Sequence, residues 1–330
     1  MGDAVFYSVR HLTKFRYSEA VTESVMETRM HPRTDSSQRC LSFHLSVSPR
    51  CRLFTYRDYL GNHIHHFDIP ARHQQLVIVA ESLVEVQSVP EIPERVAFET
   101  WNELDALGRD EDCWEMLLPS EFVTPAPLLE DLKREMAVGR AEDPLTVLRK
   151  LNEQLSTLIE YVPKSTRVNS PIDEALRNRK GVCQDFAHIM IALVRGLGIP
   201  CRYVSGYIHE EKQDGGYFAG QNATHAWAEA LLPHMGWVGF DPTNRHMVGE
   251  RHIRTAIGRD YADVPPTKGI FRGHTTSELT VAVRVSSSVE PPALDRELPI
   301  PEDWSILVDK LVEPPPLSAL QQMQQQQQQQ

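Results

Sequence analysis

Three residues carry the chemistry this chain could perform: Cys183 in "RKGVCQDFAHIMIALVRGLGIP", and His225 and Asp241 in "NATHAWAEALLPHMGWVGFDPTN". A thiol is a weak nucleophile until a base draws its proton. An imidazole serves as that base when a third group fixes its tautomer and stabilises its charged form. Cysteine, histidine and aspartate fill these roles in order. His225 would take the Cys183 proton to leave a thiolate–imidazolium pair, with Asp241 holding the ring. The matching reaction is acyl transfer: attack on an amide carbonyl, departure of the amine, and a thioester left on sulfur.

Each residue needs an element to position it. In "CQDFAHIMIALVRGLGIP" Phe186, Ile189, Met190, Leu193, Val194 and Leu197 recur at helical spacing. Cys183 joins that stripe at the first turn of the helix. There, roughly half a positive charge and unpartnered N–H groups favour a negative sulfur and can bind an oxyanion. Gly181, just ahead, predicts a close approach of substrate to the backbone. Gln184, His188 and Arg195 fall on another, more exposed face, and Gly196, Gly198 and Pro200 end the helix. Residues 224–232 and 236–241 alternate as two strands of a hairpin. A loop centred on Pro233 sets position 225 opposite 241, with Cβ atoms about 4.5–5.5 Å apart, so that Asp241 accepts the Nδ1 proton of His225. An odd change of register would separate them onto opposite faces.

Around these elements the chain divides by composition. The runs "YSVRHLTKFRYS", "RCLSFHLSVSP", "RLFTYRDYLGNHIHHFDIP" and "QQLVIVAESLVEVQ" are rich in β-branched and aromatic residues, with "LGNH" as a hairpin turn. They predict an all-β N-terminal domain, a sandwich, over residues 1–90. Residues 91–142, rich in proline and acidic side chains, read as a connecting region with short helices. Residues 143–285 read as the catalytic domain. Its first helix is capped by Asp143, opened by Pro144 and striped by Leu145, Leu148, Leu151, Leu155 and Leu158. "SPIDEALRNRK" makes a second helix and the cysteine helix is the third. The Pro- and Gln-rich stretch 286–330 reads as a disordered tail.

Composition narrows the partners. The net charge of −11 and the lack of a Lys/Arg-rich block argue against nucleic acid as the main partner. No apolar run approaches the roughly 18 residues of a membrane span, and the first residues lack the apolar segment of a signal peptide. Five scattered cysteines do not make a disulfide framework. The expectation is a cytoplasmic protein acting on a peptide or protein, with no membrane partner and no cofactor. "HIHHF" puts His63 and His65 on one strand face beside His66, but no acidic or thiolate partner stands at ligand spacing, so no metal site is expected. The absence of an EF-hand loop predicts calcium independence.

"GVCQDFAH" followed by "HAWAEALLPHMGWVGFDPTN" resembles the transglutaminase-like superfamily of papain-type cysteine enzymes. "HIRTAIGRDYADVPPTKGIFRG" is similar to its bacterial two-domain branch, in which a β-rich N-terminal region precedes the catalytic domain. The likeness runs over roughly residues 5–285, in three segments in the right order. It implies an α+β fold with the cysteine helix packed on an antiparallel sheet, Cys183 as nucleophile, His225 as base and Asp241 as the third member. It also implies a side-chain oxyanion donor beside the cysteine N–H, for which Tyr161, Gln184 and Trp227 stay open. Asp185 reads as electrostatic support for the helix terminus. Trp227 and Trp237 read as groove walls or core, and "GRDYADVPP" as a cleft-shaping loop or a salt-bridged turn. Hydrolysis by a peptidase or amidase is expected over transamidation by a transglutaminase, since the bacterial branch is mostly protease-like. A non-catalytic binding scaffold, with the β domain as the partner surface, is the competing class.

Overall fold

The computed structural model describes residues 4–88, 91–107, 113–209 and 224–288. The tail expected over 286–330 lies outside these residues from 289 onward. The chain opens with six strands: β1 (Val5–Val21), β2 (Glu23–Thr28), β3 (Gln38–Ser48), β4 (Phe54–Arg57), β5 (His63–Ile69) and β6 (His73–Val86). β4 and β5 meet at the "LGNH" turn. Asp58 Oδ1 accepts the N–H groups of Leu60 (3.0 Å) and Asn62 (2.8 Å), and Gly61 takes the positive φ of 76° that the turn demands. β2 has no counterpart in the sequence reading, because "ESVMET" alternates over only six residues of modest strand preference.

Helices α1 (Thr100–Leu107) and α2 (Pro127–Glu135) lie in the connecting region, followed by α3 (Pro144–Leu158). α3 starts as its sequence dictates: Asp143 accepts the Thr146 N–H (3.1 Å) and Pro144 takes the first turn. Next come β7 (Glu160–Tyr161), α4 (Ile172–Asn178), β8 (Lys180–Gly181) and α5 (Cys183–Gly196), the last ended by Gly198 at φ 80°. The remaining strands are β9 (Cys201–Ile208), β10 (His225–Leu232), β11 (Gly236–Asp241), β12 (His246–Met247), β13 (His252–Gly258), β14 (Thr267–Arg272) and β15 (Ser277–Ser288).

Among the described residues, five of these strands form one antiparallel sheet in the order β12-β11-β10-β9-β13. α5 lies on it against Cys201, Tyr203, Ala226, Ala228 and Ala230, and α2, α3 and α4 cover the helix from the other side. The fold is thus α+β, with the cysteine helix between a sheet and a helical layer. That layering corrects the amphipathic reading of α5: Gln184, His188 and Arg195 are all buried. His188 stacks on Phe122 and accepts the Tyr261 N–H (3.2 Å). Arg195 donates to the carbonyls of Cys201, Leu118 and Arg259 at 2.7–3.0 Å. A buried guanidinium is tolerable because its donors are satisfied.

Two four-stranded sheets, β15-β1-β6-β3 and β14-β2-β5-β4, make the sandwich around Tyr17, Met26, Phe67, Leu76 and Ile78. Their outer strands β14 and β15 come from the far end of the chain. Sequence composition drew domains at 1–90 and 143–285, whereas the last two strands of the second segment pair with β2 and β1 of the first. Strand pairing at such separation leaves no compositional mark.

Candidate active site

Cys183 is the first residue of α5 and is partly exposed. Asp185, three residues into the turn, builds that terminus: its carboxylate accepts the Val182 N–H (2.8 Å) and the Thr166 hydroxyl. Gly181 serves this cap, since a Cβ there would come within 2.9 Å of the Asp185 Cβ. The glycine makes room for a side chain of its own helix, which replaces the expectation that it admits substrate. Parallel pairing of β7 with β8 sets Tyr161 beside Gly181.

The hairpin of β10 and β11 pairs Ala228 with Phe240 and Leu232 with Gly236. This register is offset by two residues from the one expected, because the turn runs through positive φ at His234 and Gly236. Continued along the ladder, it puts Asp241 across from Trp227 and diagonal to His225. An even offset preserves the shared face. His225 Nε2 and Asp241 Oδ2 lie 2.7 Å apart, both residues fully buried. The contact is made through Nε2, where the expectation was Nδ1. His225 Nδ1 is buried without a full hydrogen bond, and the ring has the Cys183 side chain within interaction reach. Burial works against the imidazolium, but the charge and hydrogen bond of Asp241, and then the sulfur, push the His225 pKa up to about 10.

Asp241 accepts from five donors. Oδ1 takes the N–H groups of Thr243 (3.1 Å) and Asn244 (3.3 Å); Oδ2 takes His225, the Asn244 amide (2.9 Å) and His252 Nε2 (3.2 Å). Burial opposes its charge, yet His225 and His252 hold the carboxyl far below the usual range. Asn244 and His252 were not singled out from the sequence. Asn244 carries a faint signal, as the fourth residue of a "DPTN" turn. His252 carries none, since β13 is buried along nearly its whole length and shows no alternation to reveal a facing.

Of the oxyanion candidates, Gln184 donates its amide to the Val168 carbonyl (2.9 Å). Trp227 is fully buried between the rings of His225 (6.0 Å) and His252 (5.1 Å). Tyr161 stays next to the segment entering α5. Trp237 is stacked under Arg202, 4.1 Å from guanidinium carbon to ring centre. The "GRDYADVPP" loop is tied to α5 through His188 and Arg195 and to Phe122 through the buried Asp260 (2.7 Å), while Arg259 and Asp263 pair at 2.9 Å. This tether brings Tyr261 near enough to Cys183 that the sulfur's charge, after burial, raises the phenol's proton affinity.

Among the described residues, His225, Asp241 and His252 are the one group whose ligating atoms gather within 4.8 Å. Hydrogen bonds account for that closeness. His63 and His65 instead stack on His31, at 4.1 Å and 6.1 Å between ring centres with interplanar angles of 18° and 16°. Parallel rings do not converge their lone pairs on one ion.

Residues 7–85 match the bacterial transglutaminase-like N-terminal region, and residues 130–242 match the transglutaminase-like superfamily. The chain belongs to the transglutaminase-like superfamily. An uncharacterized protein of Mycobacterium leprae is 33% identical over 282 residues, covering 84% of this chain and 97% of that protein. A protein-glutamine gamma-glutamyltransferase of Pseudomonas aeruginosa is 35% identical over 118 residues, 34% of this chain and 18% of that enzyme. In fold, a Cytophaga hutchinsonii protein provisionally named a cysteine protease superposes with a TM-score of 0.68 at 21% identity, covering 90% of this chain and 93% of that one.

Proposed function

We propose that this transglutaminase-like protein is a cysteine-nucleophile enzyme that cleaves amide bonds of a peptide or protein through a thioester on Cys183. The observation that carries the reading is the placement of His225. One ring nitrogen is pinned to the buried Asp241 carboxylate at 2.7 Å, and the ring has an accessible helix-terminal cysteine in reach. The imidazolium favoured there can hand its proton to the departing amine. The backbone N–H groups of the first turn of α5 suit the oxyanion. Water then completes hydrolysis.

A second reading, transamidation by a primary amine, is favoured by the Pseudomonas aeruginosa relative, whose name is that of a glutamine acyltransferase. Both readings share the thioester and part at the acceptor. Incubating the protein with a peptide library, with and without a dansylated amine, separates them by mass spectrometry. Cleaved peptides or deamidated glutamines are expected to dominate even with the amine present, and Cys183→Ala is expected to abolish both. Dominant amine incorporation would move the assignment to transglutaminase. Full turnover by Cys183→Ala would end the cysteine mechanism.

A further inference from the structure

Among the described residues β13 is the edge strand of the five-stranded sheet, so one side of it has backbone groups that no neighbouring strand of those residues pairs. Two side-chain amides of the N-terminal sandwich take that place, joined at the Arg254 carbonyl by the Arg33 backbone N–H (2.9 Å). Gln38 Oε1 accepts the Arg254 N–H (2.8 Å) and its Nε2 donates to the Arg254 carbonyl (2.9 Å). Asn62 Oδ1 accepts the Ile257 N–H (2.9 Å) and its Nδ2 donates to the Ile257 carbonyl (2.8 Å). Both side chains are buried. Each amide imitates one residue of a missing strand.

The spacing explains why side chains do this work. Outward-facing backbone pairs recur every second residue along a regular strand. β13 carries a bulge between Arg254 and Ala256, so the outward pair that follows Arg254 falls on Ile257. A straight partner strand cannot match that interval, whereas two independent amides can. The amides are themselves fixed. Gln38 Nε2 also donates to the Arg33 carbonyl (2.7 Å); Asn62 Nδ2 donates to Asp58 (2.9 Å), and Arg33 donates to Asn62 Oδ1 (2.7 Å).

His252 stands two residues before Arg254 on the same strand and the same face. Its Nδ1 accepts the Gly249 N–H (3.4 Å), so Nε2 carries the proton and donates it to Asp241 Oδ2 (3.2 Å). Whatever fixes β13 fixes one of the donors that aim the Asp241 carboxylate at His225. We propose that Gln38 and Asn62 of the N-terminal sandwich are positioning residues for the Cys183–His225–Asp241 site, acting by pinning β13 and, through it, His252. This rests on the cysteine-nucleophile reading and gives the sandwich a role inside the catalytic unit.

The test is the pH profile of Cys183 alkylation by iodoacetamide, read on the Cys183 peptide by mass spectrometry in the full-length protein. Gln38→Met and Asn62→Leu keep volume and remove the amide. Ile78→Val, in the sandwich core, is the control for general loosening. The two amide variants are expected to label Cys183 about tenfold more slowly at pH 7, with the half-maximal pH displaced toward that of an exposed thiol. Ile78→Val is expected to lower the unfolding temperature and leave the profile in place. Should either amide variant fail to fold, Gln38→Glu and Asn62→Asp keep the acceptor and lose the donor, and a displacement in the same direction is expected. Folded amide variants with the wild-type profile would overturn the proposal while leaving the enzyme reading intact, as would an equal displacement in Ile78→Val. A wild-type Cys183 that labels no faster than an exposed thiol would overturn both.

Discussion

His225 and His252 lean on the same Asp241 oxygen, at 2.7 and 3.2 Å, yet their proton affinities move in opposite directions. For both, burial disfavours the charged form. The Asp241 charge wins at His225, with the Cys183 sulfur adding to it, whereas at His252 burial prevails and the nearby His225 charge assists it. One ring is therefore charged and the other a neutral donor. With the His225 pKa at about 10, the imidazolium persists through neutral pH and is lost as pH rises through that value. Asp241→Asn removes the charge that holds it. The alkaline limb of kcat/KM is expected to move toward neutrality, with a loss on the order of 10³–10⁴-fold. His252→Phe leaves Asp241 with four donors and is expected to cost about tenfold, while His252→Gln, which can still donate, recovers most of it. Equal losses in Phe and Gln would remove the donor role from His252. At this scale the meeting of His225 with Asp241, and with Cys183 in reach, was legible because a helix start and a hairpin, both set by neighbours in sequence, bring them together. His252 was not, because a histidine on a strand without alternation has no assignable partner.

Elements record their layer more faithfully than their surface. β1, β3, β5, β6, α3 and the β10–β11 hairpin follow from alternation, caps and turn residues, each a property of neighbours in sequence. The burial of Gln184, His188 and Arg195 does not, since it is decided by segments distant in sequence that pack on α5: Val168, Phe122 and Tyr261, and the carbonyls of Leu118, Cys201 and Arg259. β5 gives this scale a measurable consequence. Its His63 and His65 rings stack with His31 beside Phe43, with Arg33 and Arg57 as the charged neighbours. Burial first, and then the other histidines, lower the pKa of each to about 4. The unfolded chain binds protons at these sites near pH 6.5, before the folded one does. Their stabilisation is thus complete above pH 6.5 and lost as pH falls toward 4. The unfolding temperature is expected to drop by a few degrees between pH 7.5 and 5.0, and by less in the His63→Phe/His65→Phe double variant. An unchanged drop in that variant would assign the acid sensitivity elsewhere.

The whole molecule is interwoven in a way that local patterns do not disclose. The chain builds most of a sandwich, then the helices and the five-stranded sheet, and returns to close both sandwich sheets with β14 and β15. The return ties the two parts together through β14 and β15, and Gln38 and Asn62 tie them through β13. A fragment beginning at residue 143 would strand β14 and β15 without β2 and β1. It would also expose the Tyr207 and Ile253 surface that packs on Tyr7, Val9 and Val84. The four backbone groups of Arg254 and Ile257 would lose their amides as well. Pairing lost from buried groups costs about 1–3 kcal/mol each, so even partial compensation by water leaves a deficit comparable to the total stability of a domain, about 5–15 kcal/mol. The fragment 143–288 is therefore expected to lack a cooperative unfolding transition and to label Cys183 like an unfolded thiol. Adding back residues 1–142 as a separate chain is expected to restore both properties in part, because the missing contacts are non-covalent. A fragment that melts cooperatively by circular dichroism and keeps the full-length alkylation profile would mean that the five-stranded sheet holds its own edge.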